Sequence, residues 1–252
     1  FKELFIVDLD GSNLRQLTHD RGIAMSPSWS PRGDSIAYMS FRSRRPQIYL
    51  ISPGGGTPRQ VTNHTESVGA PEFSADGQIY ASASYNGFSN IVGIDPQTRA
   101  MRKLTSGSTI DTSPTVSPDG SRIAFTSNRG GGPQIYTMSS SGGGVARLSF
   151  TGSNYCTSPS WSPKGDQIAF SCLSGGNQIF LSSSAGGKAE QLTFGGNNED
   201  PGWSPDGRFI IFSSSGGRGR SIAIIPVQTG VAKPLAFARG QDSQPVWSPR
   251  MQ

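Results

Sequence analysis

Ser158-Pro159-Ser160-Trp161-Ser162-Pro163-Lys164-Gly165 decides the fold, because it recurs. Its counterparts are Ser26 to Gly33 (SPSWSPRG), Ala70 to Gly77 (APEFSADG), Ser113 to Gly120 (SPTVSPDG), Asp200 to Gly207 (DPGWSPDG) and Gln244 to Arg250 (QPVWSPR). The first proline of each copy falls at 27, 71, 114, 159, 201 and 245, in steps of 44, 43, 45, 42 and 44 residues. A fixed period of this length marks a repeat architecture and is read before any local element.

Each step repeats one grammar. A short apolar run follows the proline by eight or nine residues: Ile36-Ala37-Tyr38, Ile79-Tyr80, Ile123-Ala124-Phe125, Ile168-Ala169-Phe170 and Ile210-Ile211-Phe212. A second run begins at Ile48, Ile91, Ile135, Ile179 or Ile222. A Gly-rich or Asp-Pro turn then leads to Val61-Thr62, Leu104-Thr105, Leu148-Ser149 or Leu192-Thr193. β-Branched and aromatic residues bounded by Gly, Pro, Asn and Ser read as strands. Ser-Pro-Asp-Gly suits a type I turn, with proline pre-setting φ at its second position. Each unit is therefore four antiparallel strands, a to d, and the class is all-β. Four strands per 44-residue unit is the pattern of a β-propeller blade, and six copies predict a six-bladed propeller forming one domain over residues 1–252.

The period also resolves the composition. With 33 Gly, 18 Pro and only 15% charged residues, an aperiodic chain would read as disordered. On the period, these residues become turn chemistry. Gly and Pro throughout exclude a coiled coil, and no apolar run is long enough for a transmembrane helix. The formal net charge of +5 is too mild for a nucleic-acid surface. The chain opens at Phe1 without a basic and apolar leader, so any secretory signal is expected to have been removed.

The six S/D-P-x-W/F-S-P-x-G segments, the I-A-F and I-Y runs and the G-G-x-x-x-x-L-T turns resemble the C-terminal six-bladed propeller of the TolB family, with its WD-like repeats. The resemblance covers essentially the whole chain. It implies that the closing blade is shared between the termini. Strands c and d would come from Leu4-Phe5-Ile6-Val7 and Leu14 to Thr18, and strand a from Pro245-Val246-Trp247-Ser248. Strand b of that blade has no sequence in residues 1–252 and is expected upstream of Phe1, after an N-terminal α/β domain. On this reading the chain is a fragment of a longer protein.

In propellers strand a lines the channel, and the d–a and b–c loops share one face. Variable loops on a rigid ring carry binding. The d–a loops carry Glu66, Asp111, Glu199, Asp200 and Asp242, and the b–c loops carry Arg42, Arg44, Arg45, Arg129, Arg218 and Arg220. This predicts an acidic centre with a basic surround, suited to a protein partner. Carboxylates there are of the kind Ca²⁺ takes, so a calcium ion in the channel is conceivable, but no ligand spacing defines a site. No cofactor and no metal residues are assigned. The resemblance implies a periplasmic, non-enzymatic scaffold of the Tol-Pal system, a monomer supporting outer-membrane integrity and cell division. It would dock a Pal-type lipoprotein and meet other Tol proteins through the missing N-terminal region. Its contact with the membrane would run only through partners. The lipoprotein-facing positions of the family fall on Ser67, Ala70 and Thr112, with Asp111, Glu199 and Asp242 in the same ring and Arg42 and Arg129 around it.

The cysteines are read from the repeat itself. Cys156 precedes strand a of its unit and Cys172 ends strand b, and their midpoint lies inside the Ser162–Asp166 turn. They should face each other across two antiparallel strands, within disulfide reach. A pair of reduced thiols in a cytosolic protein is the alternative. By letter, Ser40, Ser84, Ser127 and Ser214 hold the place of Cys172 in the other units. Two motifs mislead. Arg32-Gly33-Asp34 is a variant of the a–b turn, and Asn63-His64-Thr65 is a sequon relevant only in a eukaryotic secretory setting. Only His19 and His64 offer imidazole, and no nucleophile elbow, zinc or phosphate-loop motif appears. The rival readings are a sensor propeller with another partner and the substrate-gating propeller of a peptidase.

Overall fold

The amide of Gly33 donates to the carbonyl of Ser30 at 2.9 Å, closing the first Ser-Pro-x-Gly segment as a turn. Gly77, Gly120, Gly165 and Gly207 close theirs on Ser74, Ser117, Ser162 and Ser204 in the same way. Each of these glycines has a positive φ, between 70° and 84°, where a Cβ is costly. Each turn serine also donates its hydroxyl to an aspartate, Asp34, Asp76, Asp119, Asp166 or Asp206. Asp34 of the Arg-Gly-Asp triplet is thus spent inside its own turn.

The computed structural model describes residues 1–216, 219–235 and 241–249. Among them every regular element is a strand and every ladder is antiparallel. β1 (Phe5–Ile6) and β2 (Arg15–Gln16) form a two-stranded sheet. Blade 1 is β3 (Ala24–Trp29), β4 (Ile36–Ser40), β5 (Gln47–Ile51) and β6 (Arg59–Gln60). Blade 2 is β7 (Val68–Phe73), β8 (Ile79–Tyr85), β9 (Phe88–Ile94) and β10 (Met101–Lys103). Blade 3 is β11 (Asp111–Val116), β12 (Arg122–Ser127), β13 (Gln134–Ser139) and β14 (Ala146–Arg147). Blade 4 is β15 (Cys156–Trp161), β16 (Gln167–Leu173), β17 (Asn177–Ser183) and β18 (Glu190–Gln191). Blade 5 is β19 (Asn197–Trp203), β20 (Phe209–Gly216), β21 (Gly219–Pro226) and β22 (Lys233–Pro234). In every blade the strands are hydrogen-bonded in chain order, a to d.

The residue before each repeat proline is left-handed: Ser26, Ala70, Ser113, Ser158, Asp200 and Gln244 have φ between 49° and 56°. At β3, β7, β15 and β19 the pairing register shifts across this residue, so strand a carries a bulge there. None of the six is glycine, and of them only Asp200 is of a type that tolerates this region readily, so the proline and the ladder on either side must hold them.

The chain packs as two compact units, Phe1–Pro114 with the extreme C-terminus, and Thr115–Trp247. In the first, Leu4 and Leu17 pack on Ala24, Ile36, Tyr38, Tyr49 and Ile51, and a second cluster joins blades 1 and 2 through Ile48, Val68, Ile79 and Ile94. In the second, Phe170, Trp161 and Phe180 pack against Ala124, Ile135 and Leu148 of blade 3. Ile210, Phe212 and Ile225 pack against Ala169 and Ile179 of blade 4. Strand b is buried on both faces because a neighbouring blade packs on each side of its sheet, as Phe170 and Ala169 of β16 face blades 3 and 5, which explains its unbroken apolar run.

Six four-stranded blades are not seen. Among the described residues five are complete, and the termini supply only the pair β1 and β2 toward a sixth. β1 and β2 stand where strands c and d are expected, but residues 242–249 belong to no strand. Strand a pairs with strand b, and no strand b for this blade exists among the described residues, so Pro245–Ser248 has no ladder partner. It keeps the local geometry nonetheless: Gln244 donates its amide to Ser213 Oγ at 2.9 Å, as Ser113 does to Ser82 Oγ at 3.1 Å. Arg250 and Arg218 lie outside the described residues. One alignment also shifts. Cys172 pairs with Cys156, and the residue of blade 2 that pairs with Val68 in this way is Ala83, not Ser84.

Candidate functional site

The d–a loops are built outward from one side chain each. Gln47, at the start of β5 and 3% exposed, receives the Thr62 hydroxyl at 2.7 Å and the His64 amide at 3.0 Å. Its amide nitrogen donates to the carbonyls of His64 and Glu66. Gln134 does this with Ser149 and Ser153, and Gln178 with Thr193 and Gly196. Glu3 does the same work for Thr18, Asp20 and Arg21. In blade 2 the residue is Asn90, one methylene shorter, and its amide oxygen and nitrogen are buried with no partner. The repeat of Gln or Glu fifteen residues before Thr or Ser is present in the sequence and signals this anchor.

In the first unit, Ser67 ends such a loop, half-buried, its carbonyl receiving the Ser84 amide at 2.8 Å. Ala70 is the left-handed residue of β7. Thr112 is half-buried in β11. Asp111 is the first residue of that strand and fully buried; its carboxylate receives the Thr109 hydroxyl at 3.2 Å and its carbonyl the Ser89 hydroxyl at 3.0 Å. It therefore supports its loop from within. Arg42 is exposed but its guanidinium is engaged. It pairs with Asp20 at 3.4 Å, a carboxylate 2% exposed, and lies over the Tyr49 ring. His64 packs edge-on against Tyr85 and receives the Glu66 amide on Nδ1 at 3.1 Å.

In the second unit, Glu199 receives Asn177 Nδ2 at 2.6 Å and pairs with Arg220. Asp200 beside it receives the hydroxyls of Ser158 at 3.3 Å and Ser213 at 3.4 Å. Burial, and then the Glu199 charge, push the Asp200 pKa above 3.8. Asp242 is exposed. Arg129 donates to Ser127 Oγ at 2.9 Å and lies over Phe125 and Tyr136. Arg42, Arg129 and Arg220 are thus tied to partners in their own loop or blade, although Arg42 and Arg129 stay as exposed as Arg44 and Arg45. Sequence sorting by charge could not separate the two kinds.

Sequence reasoning missed the apolar side chains on these loops. In the first unit Ile23, Phe41, Phe88 and Ile110 are exposed, and in the second Phe150, Tyr155, Leu173 and Phe194 are. Arg45, Ser67, Phe88 and Ile110 line an open cleft of about 270 Å³ with Glu66 and Ser84. Cys156 and Cys172 are joined by a disulfide across β15 and β16, with Cα atoms 4.1 Å apart. Among the described residues, no group of three or more His, Cys, Asp or Glu is set to hold a metal. No helix among them is long and apolar enough to cross a membrane.

Comparison with known proteins fits this geometry. The sequence pattern of the TolB beta propeller domain matches residues 2–251. The Tol-Pal system proteins TolB of Bordetella parapertussis and Bordetella pertussis are each 36% identical over 261 residues, covering 98% of this chain and 56% and 57% of theirs. The chain spans little more than half the length of these relatives. The crystal structure of TolB from Acinetobacter baumannii superposes with a TM-score of 0.89 at 31% identity, covering 98% of this chain and 63% of that one.

Proposed function

Because the chain belongs to the TolB β-propeller domain family, we propose that it is the non-enzymatic docking module of a periplasmic Tol-Pal system protein. Its partner is a Pal-type, peptidoglycan-associated lipoprotein, and its role is to support the integrity of the outer membrane. The carrying observation is the likeness to Tol-Pal system proteins TolB over 98% of the chain. The loop construction supports it: the turns between strands a and b are short and self-satisfied, while the d–a and b–c loops carry exposed apolar and charged side chains on buried anchors. A rigid framework with side chains already positioned lowers the ordering cost of association.

The test is titration against a purified Pal-type lipoprotein lacking its lipid, read by calorimetry. Ser67→Trp, on a d–a loop, is expected to weaken binding at least tenfold. Ser141→Trp, on the c–d turn of blade 3, is expected to leave it unchanged. Equal affinity of the two variants would remove the docking face from these loops.

A further inference from the structure

The cleft beside Ser67 has a chemistry of its own. Arg45 stands at the end of the b–c loop of blade 1, exposed, with its backbone carbonyl alone engaged, by the Ser43 hydroxyl at 2.7 Å. Unlike that of Arg42, its guanidinium is not paired with a carboxylate among the described residues. Glu66 is the one carboxylate on the lining, and it already receives the Asn86 amide at 3.1 Å. On the same lining, Phe88 and Ile110 are 39% and 49% exposed. Their backbones are fixed. Phe88 pairs with Tyr85 across the tight Asn86–Gly87 turn, and Ile110 bridges to Ser89. Asn86 and Gly87 both take positive φ, as a two-residue hairpin turn of this kind requires.

An exposed guanidinium beside two apolar side chains on a fixed backbone recognises a carboxylate adjoining an aliphatic group. We infer that this cleft is the specificity pocket for an acidic residue followed by an aliphatic one, on an extended segment of the docking partner. Arg45 holds the carboxylate through two parallel N–H···O bonds, and Phe88 and Ile110 flank the aliphatic side chain. Ser67 and Ser84 are on the same lining and offer polar groups to the segment's backbone. The identity of the partner protein rests on the docking reading above; the side-chain chemistry of the cleft does not.

The experiment therefore has two arms. In the first, the isotope-labelled chain is titrated at millimolar concentration with Gly/Ser heptapeptides carrying Asp-Leu, Asn-Leu or Asp-Ser at the centre, following the amides of Gly87 and Ser89. The Asp-Leu peptide is expected to bind about tenfold tighter than either of the others. Arg45→Glu is expected to abolish that preference, and Arg45→Lys to keep part of it, because an ammonium cannot bind bidentately. Equal affinities, no shift at these amides, or a preference that survives Arg45→Glu would overturn the inference. In the second arm, a Pal-type lipoprotein lacking its lipid is titrated against wild type and Arg45→Glu. Tight binding to both would sink the pocket and leave the docking reading standing. A peptide preference with no lipoprotein binding would sink the docking reading and leave the pocket standing.

Discussion

Replacing Cys156 by Ala and Cys172 by Ser tests the disulfide without disturbing the blade, because blade 1 already carries that pair. Ala24 faces Ser40 in the register in which Cys156 faces Cys172. In blade 1 the Ser40 hydroxyl is received by Asp20. In blade 4 the corresponding loop position is Thr151, whose hydroxyl lies 3.7 Å from Cys172 Sγ and stands ready for a serine at 172. The double variant therefore leaves no buried donor stranded and changes little packing volume.

What it removes is the covalent closure of a loop with a sequence separation of 16. Loop-closure entropy for that length is worth about 3 kcal/mol at 25 °C, acting on the unfolded chain. For a chain of this size the melting temperature should fall by about 6–12 °C. The assay is guanidinium unfolding of oxidised wild type, reduced wild type and the double variant, read separately by circular dichroism and by Trp fluorescence. Two compact units need not unfold together, so coincidence of the probes must be checked first. Reduced wild type and the double variant should fall together, both about 3 kcal/mol below the oxidised protein. A loss under about 1 kcal/mol would refute the reasoning, since it would mean that the hairpin around Ser162–Asp166 already closes this loop in the unfolded ensemble.

Four further outcomes are expected. Asn90→Gln supplies the missing methylene and lets Thr105 donate as Thr62 does, raising stability by about 1 kcal/mol in urea unfolding; a loss would mean the site is too tight for the longer side chain. Phe170→Ala empties the core shared by blades 3 and 4, and should cost about 3–5 kcal/mol by the same measurement. The aspartates give opposite pH slopes. Asp200 has a raised folded pKa, so its contribution to stability falls as pH rises above 3.8 through the folded value. Asp200→Asn should raise the unfolding midpoint at pH 7 and lose that advantage below 3.8. Asp119, held down to about 2 by the Ser117 hydroxyl and the Ser121 amide and hydroxyl, stabilises above 3.8 and loses this as pH falls toward 2. Asp119→Asn should flatten acid unfolding in that window.

The repeat made most of the fold legible, because turn chemistry is local. Proline and glycine at fixed places in Ser-Pro-x-Gly leave the backbone few alternatives, so five blades and the Cys156–Cys172 pairing could be read from spacing. The left-handed residues before the prolines could not. Serine, alanine, aspartate and glutamine share no preference for that conformation, and the ladder imposes it. Aligning by letter also failed at Ser84, because register follows backbone pairing and puts Ala83 opposite Val68. At the candidate site the loops were found but the direction of their side chains was not. Asp111 and Arg42 looked like free surface charges, yet Asp111 is buried on Thr109 and Ser89, and Arg42, though exposed, is paired with the buried Asp20. Whether a charge faces solvent or its own blade depends on a partner distant in sequence, which composition does not reveal.

The Gln–Thr anchor has a consequence for how such a chain can change. Gln47, Gln134 and Gln178 grip loop backbone carbonyls and a hydroxyl at the loop's first residue, and Gln134 and Gln178 are each also met by a side chain outside the loop, Arg147 or Asn198. None of these contacts uses the side chains of residues 63–67, 152–155 or 194–196. Residues 63–67, 152–155 and 194–196 can therefore be rewritten while their points of attachment stay where they are. The same framework can present new recognition sequences at fixed places, whether by natural divergence or by deliberate grafting.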